Sequence, residues 1–559
     1  LAELKSIMKK ANKWIFGFLI ALQYWITKMT TKEPFMKKTQ IRTLVLVLII
    51  ITGLSGCKVA QEKELNPQLD SYFEQLVDNP EFSVIITQKD SVIYTWNFGS
   101  ADTTIYDIAS VSKQFTGMAI ALLEEKGLID LNDKIIEYLP DLPRVMSNIT
   151  IYQLVHHTSG IRDWPALFAM KGWQPHEALT LDDIYETLKK QERLNFIPGS
   201  EFSYSNSNYN LLAKIVESAT DTSFERWSHD NLFVPLEMEN TYYMDSTANR
   251  LYAPGSSSLM SNTADLSKWL INFYSKTLGG DDLNKRMIQK GSLNDNQIID
   301  YGYGLYLKEI NNRKIYYHDG VWLGYRSATA FFPEDNIGVV ILSNNGSLNP
   351  PTIINDVANI LFGNETELKP KENNSGEQEI NDAFFDLCAG KYRQVDDPDC
   401  YLTFFKEGDA YFLNMYNRNF KLYAKSDSVY FVKEAKAEFV FHLRNGEVKS
   451  HSLEQNGNSY LALRVEKEKK GANINYNKLP GIYHSSELNV NYQVRYENEV
   501  LFIHSTIFPE DIILKHAEDL TFKSNSGLIQ SVTFIEENGE IKSLEINNPR
   551  AKNIAFRKK

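Results

Sequence analysis

The chain has 559 residues, 43% hydrophobic and 23% charged, a balance that suits folded domains and excludes a disordered or fibrous polymer. Its net charge is −12, and nine Lys/Arg against two Asp/Glu in residues 1–57 leave −19 on the remainder. So acidic a body argues against nucleic acid or anionic lipid as a partner.

The first element in chain order starts at Met36. MKKTQIRTLVLVLIIITGLSGC has a basic start, an apolar stretch from Leu44 to Ile51 and the box Leu54-Ser55-Gly56-Cys57. Residues 36–57 therefore read as a lipoprotein signal peptide with Cys57 as the lipidated residue. The apolar stretch is too short to span a bilayer as a mature helix. This predicts a lipid-anchored protein of the bacterial cell envelope, periplasmic or on the outer membrane; a simple membrane anchor, or an ordinary signal peptide with a coincidental cysteine, is the alternative. Residues 1–35, with their own apolar stretch Trp14 to Ile26, read as an over-extended start, or else as a further membrane segment.

Next comes Asp107-Ile108-Ala109-Ser110, running into SVSKQFTGMAIALLEEKG. Val111, Phe115, Met118, Ala119 and Leu122 recur at helical spacing, and Gly127 stands where a left-handed residue would end the helix. Ser110 is thus expected at a helix N-terminus with Lys113 one turn on, on the same face. The positive helix end favours negative charge on the serine oxygen, and a desolvated amine beside it can take the serine's proton. A Ser-x-x-Lys arises by chance about once or twice in a chain this long, so alone it reads as a capped helix with a surface lysine.

Two later motifs change that weighting. PGSEFSYSNSNYNLLAKIVESAT reads as a loop entering a helix with Leu211, Leu212, Ile215 and Val216 on its apolar face. Tyr204 and Asn206 then lie on the loop as alternate residues. A phenol there can act as general acid or base, and the Asn206 amide can both donate and accept, although Tyr, Ser and Asn are also ordinary turn residues. Further on, RKIYYHDG reads as a strand, followed by SATAFF, the turn Pro333-Glu334-Asp335-Asn336 and the apolar run Ile337 to Leu342. His318 is placed near the start of a core strand, and Gly320 where a substrate backbone could lie close.

Taken together, IASVSKQFTGMAIALLEEKGLIDLND, LVHHTSGIRD, PGSEFSYSNSNYNLLAKIVE, SSLMSNTADLSKWL and HDGVWLGYRSATAFFPEDNIGVVILSNN resemble the serine β-lactamase and penicillin-binding-protein-like superfamily, in its class C, esterase and D-aminopeptidase branch. The resemblance runs in family order from about Phe82 to Asn345. It implies an α+β fold, an antiparallel sheet flanked by helices, over residues 65–363. It makes Ser110 the acylated nucleophile, with Lys113 and Tyr204 sharing the proton work. Asn206, His318 and Gly320 would position the substrate, the backbone N–H groups of Ser110 and Val321 would form the oxyanion hole, and His157 would hold the walls of the site. Many β-lactamases carry Lys-Thr-Gly where this chain has His318-Asp319-Gly320. A neutral histidine and an added carboxylate suit a penicillin-type carboxylate poorly. An ester, amide or peptide substrate is therefore expected, with a β-lactamase or DD-carboxypeptidase and a non-catalytic receptor or scaffold as alternatives. No glutamate motif of the class A kind is found, so deacylation would fall to Tyr204 and Lys113. No cofactor is implied, and no Cys/His cluster has zinc spacing.

Residues 364–380 are polar, charged and without periodicity, and read as a linker. Beyond them short alternating runs rich in Tyr, Phe and Val give an all-β signature. It repeats: Gly390-Lys391-Tyr392 recurs as Gly481-Ile482-Tyr483, 91 residues on, and Asn445-Gly446-Glu447-Val448-Lys449-Ser450 as Asn538-Gly539-Glu540-Ile541-Lys542-Ser543, 93 residues on. Two tandem barrel-like units are predicted, residues 381–470 and 476–559, a single larger barrel being the alternative. Their aromatics are expected in the core, and none of their residues reads as catalytic. The roles open to them are walling the cleft, binding a partner or ligand, and acting as a spacer. Cys388 and Cys400 suit either a disulfide or a pair of thiols.

Overall fold

The computed structural model describes residues 67–76, 81–244, 250–310, 312–363, most of 378–465, and 474–559 except Asn525. Cys57 with its signal segment, the residues before it and nearly all of the 364–380 linker lie outside the described residues. Among the described residues no helix is long and apolar enough to cross a membrane.

Six antiparallel strands make the central sheet: β1 (Phe82–Gln88), β2 (Ser91–Phe98), β3 (Tyr306–Ile310), β4 (Arg313–Trp322), β5 (Tyr325–Phe332) and β6 (Ile337–Ser343). Their order is β3-β4-β5-β6-β1-β2, so the first strand of the domain pairs with its last. β6 is buried at every residue, which is why IGVVILS is a continuous apolar run rather than an alternating one.

Helix α1 (Lys113–Glu125) packs against α2 (Asn206–Thr220), α3 (Thr263–Ser275) lies across β1, β5 and β6, and α4 (Pro350–Phe362) lies against β5. α1 ends as its sequence predicts. Gly127 takes φ +65°, its N–H donates to the Glu124 carbonyl at 3.0 Å, and the Leu128 N–H reaches back to Leu123 at 2.9 Å. The predicted apolar face of α2, Leu211, Leu212, Ile215 and Val216, is wholly buried.

The C-terminal half forms two separate all-β bodies, not one larger barrel. Residues 390–464 build a nine-stranded antiparallel sheet, and residues 481–558 close an eight-stranded barrel. The sequence repeat has a physical basis. The Tyr392 hydroxyl donates to the Cys388 carbonyl at 2.8 Å, and its counterpart Tyr483 donates to Leu479 at 2.7 Å. In the second copy of the other repeat, Asn538 and Gly539 both take positive φ, the two-residue hairpin turn that an Asn-Gly pair favours.

Many of the aromatics are core, Tyr392, Phe404, Phe439 and Phe441 in the first unit and Tyr483, Tyr492, Phe534 and Phe556 in the second, whereas Phe405, Phe412, Tyr423, Phe431 and Phe502 are only partly buried and lie outside these cores. Cys388 and Cys400 are buried in the first core as thiols rather than as a disulfide. The nine-stranded sheet keeps this core to itself, whereas the terminal barrel shares one continuous core with the helices of the first domain.

Candidate active site

Ser110 lies in a 3-10 turn, Ala109–Ser112, that leads directly into α1. The turn is held tightly: Ala109 sits at φ +48°, its N–H donates to Asp107 Oδ1 at 2.8 Å, and the Ser112 hydroxyl donates to the Ala109 carbonyl at 2.5 Å. A non-glycine residue in the left-handed region costs about 1–3 kcal/mol and persists only where its surroundings over-determine it. Here that strain aims the hydroxyl of Ser110.

Lys113 is fully buried, and its Nζ reaches three oxygens: Asn206 Oδ1 at 2.8 Å, the Ser256 carbonyl at 2.7 Å and Ser110 Oγ at 3.2 Å. The amide and carbonyl oxygens can only accept. A neutral amine therefore spends its two N–H groups on them and turns its lone pair toward the one partner that owns a proton, the Ser110 hydroxyl. Burial pushes the lysine well below its ordinary range, against the pull of Asp163.

Tyr204 completes the group. Its phenol lies near enough to Ser110 for that side chain to influence its titration, and its ring centroid stands 5.0 Å from Lys113 Nζ. Burial, helped by neighbouring Tyr306, pushes the phenol well above its ordinary range, so it keeps its proton. The two groups flanking the serine are driven in opposite directions, the amine toward neutral and the phenol toward protonated. That separation is what distinguishes a base from an acid within one site.

The family profile for β-lactamase matches residues 69–362. The chain belongs to the β-lactamase family. Penicillin-binding protein 4* of Bacillus subtilis (strain 168) is 25% identical over 453 residues, 71% of this chain and 98% of that protein. Protein flp of Staphylococcus aureus (strain MW2) is 27% identical over 331 residues, 51% of this chain and 64% of flp. Among solved structures, the octameric penicillin-binding protein homologue from Pyrococcus abyssi aligns with a TM-score of 0.49 at 20% identity, covering 72% of this chain and 99% of that one. The D-amino acid amidase from Ochrobactrum anthropi SV3 aligns with a TM-score of 0.45 at 17% identity, covering 53% and 97%.

Within this β-lactamase-family site the structure brings together Ser110, Lys113, Tyr204 and Asn206, residues up to 96 positions apart in the chain. Asn206 is engaged by the protein itself: Oδ1 accepts from Lys113, and Nδ2 donates to Asp163 Oδ2 at 3.3 Å. His157 carries the loop, accepting the Ser205 N–H on Nδ1 at 3.2 Å and laying its ring against Tyr204. Val321 is 56% exposed on the stretch of β4 that continues past β3, whose pairing with β4 starts opposite Tyr317.

Two placements differ from the sequence reading. His318 lies in the middle of the ten-residue strand β4 and is buried, its Nδ1 on the Asp319 carbonyl at 2.7 Å and its Nε2 on the Tyr301 hydroxyl at 3.3 Å. Burial and nearby Lys113 push it down to about 3, so it is neutral at pH 7. At Gly320 the space a Cβ would fill holds Ser327 Oγ at 2.3 Å and the Ile108 carbonyl at 2.4 Å. The glycine lets β4 close onto the segment that carries Ser110, and substrate has no access on that side.

The sequence reading missed three participants. Ser256 acts through a backbone carbonyl, which no residue type announces. Asp163, in the quoted LVHHTSGIRD segment, is 1% exposed at its side chain and accepts the Asn206 N–H at 2.7 Å. Arg550, from the terminal barrel, donates to Asp163 Oδ2 at 3.0 Å and lies 5.5 Å from the Tyr204 ring centroid. Of the roles left open for the all-β units this contact bears on walling the cleft, and the reading that none of their residues takes part in the site is corrected, because the terminal barrel supplies the cation paired with Asp163.

Proposed function

We propose that the chain is a serine hydrolase of the cell envelope, anchored by lipid at Cys57, that acts on an ester or an amide/peptide substrate through an acyl group on Ser110. The observation that carries this reading is the buried Lys113 amine, with two acceptor-only oxygens and one hydroxyl around its nitrogen. Ser110 Oγ attacks the substrate carbonyl carbon while its proton passes to Lys113. The oxyanion is taken by the N–H groups of Ser110 and Val321, an arrangement that contributes about 3–4 kcal/mol per donor in hydrolases that use it. As the C–O or C–N bond breaks, the Tyr204 phenol protonates the leaving group and is itself reprotonated from Lys113. Water then repeats the sequence on the acyl-serine in reverse.

The pH dependence follows with a definite sign. The neutral amine is the working form of Lys113, so kcat/KM rises with pH through the lowered lysine value and is lost below it. The phenol is the working form of Tyr204, and its raised value predicts no alkaline fall below about pH 10. His318 contributes no limb near neutrality. A kcat/KM profile rising only near pH 10 would refute this assignment.

A fluorophosphonate probe tests the class of activity. It is expected to label the wild-type chain and not Ser110→Ala; an unlabelled wild type would support the receptor or scaffold reading instead. For the substrate, a nitrophenyl ester and a D-alanyl anilide are expected to turn over faster than a peptide ending in D-Ala-D-Ala or nitrocefin. Asp319 is a half-buried carboxyl beside the site, and no side chain of His318-Asp319-Gly320 offers a cation to a penicillin carboxylate. Similarity to a protein named for penicillin binding keeps the β-lactamase and DD-carboxypeptidase alternative in the panel. Nitrocefin turned over far faster than the ester would establish it.

A further inference from the structure

The turn between the last two strands of the terminal barrel, Glu540–Asn548 and Ala551–Lys558, is pinned to the catalytic domain from both sides. The Asp163 N–H donates to the Arg550 carbonyl at 3.0 Å and Asn195 Nδ2 donates to the same oxygen at 3.1 Å, while the Lys552 N–H donates to Asn195 Oδ1 at 2.7 Å. Inside the barrel, the Arg550 N–H rests on Asn548 Oδ1 at 3.0 Å and Asn548 Nδ2 on the Leu528 carbonyl at 2.8 Å. The backbone of Arg550 is therefore fixed, and its guanidinium, 52% exposed on its outer side, meets the nearly inaccessible carboxylate of Asp163.

From there an unbroken chain of contacts leads to the nucleophile: Arg550 to Asp163 at 3.0 Å, Asp163 to the Asn206 N–H at 2.7 Å, Asn206 Oδ1 to Lys113 at 2.8 Å, and Lys113 to Ser110 at 3.2 Å. Resting on the acyl-serine reading, we propose that Arg550 is a positioning residue of the active site. It neutralises and orients Asp163, which in turn holds Asn206 and Lys113, so that the terminal barrel and the β-lactamase-family domain form one catalytic unit.

The physical need for such a cation follows from the mechanism. Asp163 is a buried negative charge near Lys113, and an opposite charge at that range holds a proton on the amine. If Lys113 is to be neutral, another positive charge has to answer Asp163, and Arg550 is placed to do so. The other charged and titratable groups around the amine are Asp319 and His318 on β4, His157 behind the Tyr204 loop, and the rings of Tyr204 and Tyr209; Lys308 on β3 faces Asp319 and His318. Tyr306, also on β3, faces Arg550. None of these is paired with Asp163 as Arg550 is.

The test measures the second-order rate of fluorophosphonate labelling of the full chain against pH, for wild type, Arg550→Gln and Arg550→Lys. Removing the guanidinium leaves Asp163 unanswered, so the acid limb of Arg550→Gln is expected to move to higher pH by about one unit or more, its rate approaching the wild-type plateau in alkali. Arg550→Lys is expected to move it back. A barrel that merely props the fold would lower the rate at every pH without moving the limb, and that outcome would overturn the proposal, as would a limb unmoved in Arg550→Gln. A wild type that does not label refutes the acyl-serine reading itself, whereas a wild type and an Arg550→Gln that label with one pH profile refute only the role given to Arg550.

Discussion

Lys113→Met is expected to lower kcat/KM on a nitrophenyl ester by about three orders of magnitude, within the range by which positioned general bases accelerate reactions. Methionine fills the buried volume of the lysine stem but supplies no lone pair of comparable basicity to the Ser110 hydroxyl. The substitution leaves Asn206 Oδ1 and the Ser256 carbonyl each short of a donor, a loss of about 1–3 kcal/mol per group, and this is partly offset because an amine no longer has to be desolvated. The melting temperature should therefore move little, and the loss should fall on kcat rather than on KM. Tyr204→Phe separates the two proton roles. A nitrophenolate leaves without needing a proton, whereas an anilide does not, so the anilide should suffer the larger loss. Ester turnover within tenfold of wild type in Lys113→Met would remove the lysine from the base role.

What decides this chemistry is the pairing of surroundings with residue type. A lysine and a tyrosine in water would both be protonated at pH 7, and only one of them would be useful as found. Enclosing both disfavours charge on each, and for an amine that means losing a proton while for a phenol it means keeping one. One physical cause thus produces an acid and a base on either side of the same hydroxyl. The strained backbone at Ala109 and the close approach of β4 at Gly320 fix the hydroxyl between them.

Much of this was legible in the chain. The helix carrying Ser110 and Lys113 announced itself by apolar spacing and by Gly127, the strands β4 to β6 by alternation and a continuous apolar run, and the two β units by their repeats at 91 and 93 residues. These are signals of local period, and period survives in a single sequence. The participation of Arg550 was not legible, because an arginine in a polar turn that still half faces water carries no mark of the buried aspartate 387 residues away with which it pairs. Gly320 was assigned to substrate access, but its neighbours Ile108 and Ser327 come from other elements, and only the packed sheet shows that they occupy its missing Cβ. His318 was correctly read as neutral, yet its burial under Tyr301 depends on a loop whose position no motif encodes.

Glu487→Ala is expected to destabilise the chain by about 3–5 kcal/mol, the penalty for stranding one member of a buried ion pair. Glu487, in the terminal barrel, pairs with Arg162 of the β-lactamase-family domain, and the two side chains are 4% and 0% exposed. Arg162 also donates through Nε to the Lys552 carbonyl at 2.9 Å and through Nη2 to the Asn553 carbonyl at 3.0 Å. Its fork thus clamps three points of the barrel at once, and the carboxylate is the only charged one. Without it the guanidinium is buried against two neutral carbonyls, and the barrel's cheapest response is to loosen from the domain. Because Arg550 enters the site from the strand pair that Arg162 holds, the acid limb of labelling in Glu487→Ala should move upward as it does in Arg550→Gln. Glu487→Gln keeps the acceptor without the charge and should fall between, while the double variant Arg162→Met/Glu487→Met should regain most of the lost stability, since no charge is then left buried. Urea midpoints for the four proteins decide the matter: a midpoint for Glu487→Ala indistinguishable from wild type would mean that the shared core alone holds the barrel in place.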